Sequence, residues 1–158
     1  MPNLINWQQA SATFTELFPG TADSASDLKN KLTDDAALTA AIENSNGNIW
    51  IEFLLRCRFG VSPTNGYWNL YIIRGHDIGS GVAYEDGAGG TTPTIPARAP
   101  DAVIAVRADT GQQLIHVPGI LAPPEDFKIL LENKSGQTTT NTDNENELWS
   151  RFYSEEVQ

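Results

Sequence analysis

The chain of 158 residues holds one cysteine, two histidines and only ten basic residues, and it has no long apolar run. Each scarcity closes off a class of protein. A single cysteine, Cys57, excludes an internal disulfide. At an apolar position of its segment it reads as a small buried hydrophobe rather than a reactive thiol. Two histidines and one cysteine at unrelated spacings do not make a zinc set. Ten basic against 20 acidic residues leave a net charge of -10. Nucleic-acid phosphates repel such a chain, and no basic cluster compensates locally, so nucleic acid is not an expected partner. A spanning helix needs about 18 apolar residues in a row, which the chain lacks, so a membrane is not expected either. The N-terminal Met-Pro-Asn-Leu-Ile-Asn-Trp has neither the basic stretch nor the apolar core of a secretion signal. The chain is expected to be made and folded in a reducing cytoplasm.

What is present is alternation. In residues 48–59, Ile49, Ile51, Phe53, Leu55, Cys57 and Phe59 occupy one parity, and Trp50, Glu52, Leu54, Arg56 and Arg58 the other. Strand side chains point alternately to opposite faces, so this is a long strand with one dry and one mixed face. Residues 67–74 alternate again, and with the turn at residues 62–66 the two segments predict a hairpin. Shorter strands are expected at 101–107, 112–117, 127–132 and 147–155, and an edge strand at 12–18 anchored by Phe14 and Phe18. Residues 27–32 read as a short strand or helical turn, and 36–42 as a short helix or irregular strand. Residues 75–100, rich in Gly, Pro and Thr, read as a long loop. The expectation is one all-β domain at 34–158: an antiparallel β-sandwich of about eight strands, a jelly roll with two four-stranded sheets. Residues 1–33 are expected to form an extended N-terminal arm, docked on this domain or on a neighbour.

Catalytic chemistry is hard to find. His76 adjoins Asp77, with Ser62, Ser80, Glu85 and Asp86 nearby, but no Gly-x-Ser-x-Gly elbow is present. A solvated loop histidine is the preferred reading, and no enzyme activity is expected. Asp77, Glu85 and Asp86 offer hard oxygens to a cation, as do Asp143, Glu145 and Glu147; solvated acids are the preferred reading of both groups. The glycine clusters at 75–81 and 87–90 lack the lysine of a P-loop. No cofactor or metal is expected. The remaining candidates form an interaction surface: Leu4, Ile5 and Trp7 in the arm, with Trp50, Trp68, Trp149 and Tyr153 in the strands. Exposed, such aromatics make a stacking platform for a sugar; buried, they are core or subunit interface, and packing is the preferred reading.

Three stretches carry a resemblance. Ile42-Glu43-Asn44 leads into the first long strand. Residues 66–77, Gly-Tyr-Trp-Asn-Leu-Tyr-Ile-Ile-Arg-Gly-His-Asp, are followed by Tyr84-Glu85-Asp86-Gly87. Then come Pro118-Gly119-Ile120, Pro123-Pro124 and residues 127–136. From residue 42 to the C-terminus this order resembles a group of small structural proteins of tailed-bacteriophage virions. The resemblance implies a virion protein that decorates or cements the capsid. Its expected partners are the major capsid protein or other virion proteins, and copies of itself as a homo-oligomer, a trimer. It brings no catalytic residues. The alternative is a glycan-binding sandwich of a tail fibre or baseplate.

Overall fold

A computed structural model describes residues 5–9, 13–18, 28–64, 66–87 and 93–157. Ten strands account for the regular structure: β1 (Ile5–Gln9), β2 (Thr15–Glu16), β3 (Ala36–Leu38), β4 (Trp50–Cys57), β5 (Tyr67–Asp77), β6 (Val82–Tyr84), β7 (Ala102–Ala105), β8 (Gln113–Leu121), β9 (Phe127–Asn133) and β10 (Glu147–Val157). They form two antiparallel sheets. In sheet A the order is β1-β10-β4-β8, with β2 also on β10; in sheet B it is β3-β9-β5-β6, with β7 also on β5. β1 and β2 pair with successive stretches of β10 and act as one interrupted strand. Counted so, and leaving out β6 as a short antiparallel partner of β5, eight strands change sheet at every step except from β5 to β7, the order of a jelly roll.

The alternation of residues 48–59 sets the core. Ile51, Phe53, Leu55, Cys57 and Phe59 are all within 1% of full burial, whereas Ile49 is exposed. They meet Trp68, Leu70, Ile72, Phe127, Ile129 and Leu131 of sheet B and Val117 and Leu148 of sheet A in one cluster. Each fully buried large apolar side chain removes enough surface from water to contribute about 1.5–3 kcal/mol before entropy is counted.

The expected hairpin is not there. β4 pairs with β10 and β8, and β5 with β9, β7 and β6, so the turn at 62–66 carries the chain from one sheet to the other. A turn signal reports that a chain reverses, not whether the returning strand pairs or stacks. Both strands have a dry side, and facing each other buries both. Gly66 fits here because a Cβ would lie 2.5 Å from the Ser135 Cα.

Several local readings are decided or changed. Of the two readings of residues 36–42 the irregular strand is the one found, as strand β3 and a single bridge, Ile42 to Phe127. Residues 28–32 contain a turn and no strand, with Leu28 fully buried. The loop expected at 75–100 contains the end of β5, β6 and a 3₁₀ turn at Glu85–Gly87. Phe18 and Leu28 belong to the main core cluster, so the core does not divide at residue 33. β1 pairs with β10 of the same chain, which docks that part of the expected arm on its own domain.

Pro118-Gly119, just beyond the strand expected at 112–117, lies inside β8. Ile51 pairs with Ile120 and Phe53 with Val117, so two residues of β8 oppose Glu52 alone. This is a β-bulge, and it lets the strand run on to Leu121.

Candidate interaction face

The outer face of sheet A collects three of the seven expected surface residues. Register places Tyr153 opposite Trp50, Arg151 opposite Glu52 and Trp149 opposite Leu54 across β10 and β4. On β8, Leu121 lies opposite Trp50, His116 opposite Leu54 and Leu114 opposite Arg56. Trp50, Leu54, Trp149 and Tyr153 are half-buried; Leu114 and Leu121 are 61% and 62% exposed. The mixed side of the alternating strand is thus an aromatic and aliphatic surface with charges set into it.

Those charges are arranged in two rows. In the first, the Glu52 carboxylate is nearly covered. Its Oε1 accepts from Nε and Nη2 of Arg151, and its Oε2 accepts from His116 Nε2 at 2.7 Å. The Arg151 guanidinium also lies 4.5 Å above the Phe14 ring. Burial alone would raise the Glu52 pKa; the hydrogen bonds and charges of His116 and Arg151 outweigh it and hold the carboxyl below its ordinary 4.5. In the second row, Arg56 lies 4.7 Å above the Trp149 ring and donates to Glu147 Oε2 at 2.8 Å and to the Asn144 carbonyl at 3.0 Å. Glu147 shifts the other way: burial raises its pKa, Arg56 offsets part of this, and Glu16 adds to it.

The bulge makes room for Tyr153. A Cβ on Gly119 would stand 1.7 Å from the Tyr153 hydroxyl and 2.8 Å from its ring carbon. Only glycine leaves the phenol lying over β8. Desolvation and the Glu52 carboxylate together raise the Tyr153 pKa, so the ring carries no charge at neutral pH.

The other expected surface residues fall elsewhere. Trp68 is a correction: it is fully buried between the sheets, because its parity with Leu70 and Ile72 is the inward one. Leu4 lies outside the described residues. Ile5 and Trp7 are in β1, opposite Val157 and Glu155 of β10. The residues that sequence reasoning missed are Glu52, His116, Arg151 and Gly119. Glu52 had a signal, a lone carboxylate inside a strand between Trp50 and Leu54; Arg151 and His116 gave none, since only register brings them beside it.

The alternative chemistries do not assemble among the described residues. His76 Nε2 is 3.2 Å from Glu85 and Nδ1 is 3.7 Å from Glu125, while the Asp77 carboxylate accepts from the Gly79 N–H at 2.7 Å in its own turn. Ser62 and Ser80 do not bond to His76. Asp86 faces Arg98, so Asp77, Glu85 and Asp86 do not converge on one point. Asp143, Glu145 and Glu147 are each paired with a separate cation: Lys29, Arg58 and Arg56. No group of three acidic, histidine or cysteine ligands stands close enough to hold a metal among the described residues. Burial pushes the Cys57 thiol up to about 12, against a smaller opposing pull from Arg107, which leaves it unreactive in the folded chain.

No family model, no curated protein and no solved structure matches this chain.

Proposed function

We propose that this protein is a non-enzymatic structural component of a tailed-bacteriophage virion, one that decorates or cements the capsid. The outer face of sheet A is the surface that docks on the major capsid protein or another virion protein. The observation that supports this reading is that no described part of the chain covers the face. Leu114 and Leu121 stand in solvent beside four half-buried large side chains, and the charges among them are already paired. Paired charges let such a face be desolvated without stranding an ion, which is what a protein interface requires. Jelly rolls recur in viral capsid proteins and in lectins; this is an analogy of fold and supports the reading only to that extent. Mass spectrometry of purified particles tests it. The protein is expected there in stoichiometric amount, and its absence would sink the proposal.

A glycan-binding module is the second reading, favoured by Trp50 and Tyr153 standing opposite each other. Three facts weigh against it. Trp68 is in the core, the Trp149 ring already carries Arg56 on one side, and the Trp50 indole N–H is shielded with no partner among the described residues. Glycan-array binding that disappears in Tyr153→Ala, with folding intact, would favour this second reading.

A further inference from the structure

We infer that the β8 edge of sheet A is a two-fold contact between copies of this chain. Among the described residues β8 is the last strand of its sheet, with β4 as its only ladder partner. The Ala122 N–H donates to the Ile49 carbonyl at 2.8 Å, so Ile49 turns its backbone groups toward β8. A strand alternates in this respect, so Phe53, Leu55 and Cys57 do the same and bond Val117, Ile115 and Gln113. The Leu17 N–H donating to the Leu148 carbonyl at 2.8 Å on the opposite side of the sheet agrees with this phase. Leu114 and His116 therefore direct N–H and C=O out of the edge, where they bond no group among the described residues.

Edges of this kind are normally blunted by charge. This one is not. From Thr110 to Pro124 the chain carries no Asp, Glu, Lys or Arg, although its net charge is -10. Two copies repel over most of their surfaces and can approach along this strip, where His116 is already paired with Glu52 of its own chain, without opposing like charges. An antiparallel β8–β8 pair centred on Ile115 sets Leu114 of one copy opposite His116 of the other, twice. Four N–H···O=C bonds then close between the outward groups, and Leu114, 61% exposed in one copy, packs beside the second chain. Pro118 has no N–H and ends the ladder at that side, which fixes the register. Such a contact is isologous, the commonest kind in closed assemblies. It differs from the trimer that the phage resemblance implies; it runs through the backbone of the edge strand, and Leu114 is shared between this contact and the face assigned to docking.

Sedimentation velocity on the purified protein over a concentration series tests this without any capsid. A monomer–dimer equilibrium is expected, shifted to monomer in Leu114→Lys. That residue is exposed, so the fold is kept, as an unchanged melting curve would verify. Amide exchange supplies the register: Leu114 and His116 slow together as the dimer forms, and both speed up in the variant, while Ile115 and Val117 stay protected throughout. A monomer at every concentration, a trimer, or a dimer untouched by Leu114→Lys would overturn the inference.

Discussion

The outer faces of the two sheets are treated in opposite ways by the same chain. On sheet B, Leu38, Tyr71, Ile73 and Leu130 form a second buried cluster, with Ala36 and Tyr84 against it. Arg98 and its neighbours in residues 93–101 lie against this cluster. Arg98 lies 5.7 Å from the Tyr71 ring, donates to the Ile72 carbonyl at 2.7 Å and pairs with Asp101 at 2.9 Å. Lys128 stands over Tyr84 at 4.4 Å. At the other end, the buried Glu132 carboxylate accepts from Asn69, Tyr71 and Lys134. The outer face of sheet A carries Trp50, Leu54, Leu114, Leu121, Trp149 and Tyr153 and has no such cover among the described residues. The contrast shows that the chain has the means to bury a second apolar layer. The open face of sheet A is the one proposed above to dock on another protein.

Breaking the core shared by both sheets gives the largest effect. Trp68→Ala is expected to cost about 3–5 kcal/mol in chemical denaturation, because the fully buried ring leaves a cavity. Trp149→Ala, on the open face, should cost far less. Equal losses would erase the distinction between the two tryptophans.

Gly119→Ala sharpens the picture of the open face. Its Cβ displaces Tyr153, at an expected cost of about 1–3 kcal/mol. In a double-mutant cycle, Tyr153→Ala should recover most of that loss, since the two changes share one contact. Additive losses would mean that the phenol does not lie over the bulge.

Cover can be compared directly by arginine removal. Arg98→Ala gives up bonds to a carbonyl and a carboxylate over a buried ring, and about 1–2 kcal/mol is expected, with faster amide exchange across residues 93–101. Arg56→Ala gives up a similar set of bonds at similar side-chain exposure, 32% against 34% for Arg98, but over the half-buried Trp149 ring, and is expected to cost less than about 1 kcal/mol. The reverse ranking would contradict the assignment of covered and open faces.

Acid separates Glu52 from Glu147. The folded-state pKa of Glu52 is depressed, so its contribution is complete above the ordinary 4.5 and fades as the pH falls through the lower folded value. Glu147 is raised, so its ionisation removes stability as the pH rises through its folded value. Glu52→Gln should therefore lose stability at neutral pH and show a flatter acid limb in melting curves, whereas Glu147→Gln should lose little at neutral pH. Parallel curves for both variants would show that the two rows are equivalent.

Much of this architecture was legible because strand parity is a strong signal. The dry parity of residues 51–59 and the regular turns gave the two-sheet sandwich, and the strand count gave the jelly roll. The hairpin between β4 and β5 misled because Ser62-Pro63-Thr64-Asn65-Gly66 marks a reversal without specifying pairing. Trp68 was placed on the wrong side because both parities of residues 67–74 are apolar, as they must be in a sheet covered on both faces. The site was legible only in part. Trp50, Trp149 and Tyr153 are conspicuous in sequence, but Glu52, His116 and Arg151 become one cluster through the register of three strands distant in the chain. Pro118-Gly119 looked like a terminator because a bulge and a strand end use the same residues.

The most direct test of the docking face is co-sedimentation with capsids that lack the protein, comparing wild type with Leu121→Asp and Arg98→Ala. Leu121 is 62% exposed on the open face, so the substitution leaves the fold intact while placing a new charge on the docking surface. Wild type and Arg98→Ala are expected to bind saturably, and Leu121→Asp to lose most of its binding. Binding by Leu121→Asp equal to wild type, or no binding by any of the three, would contradict the account.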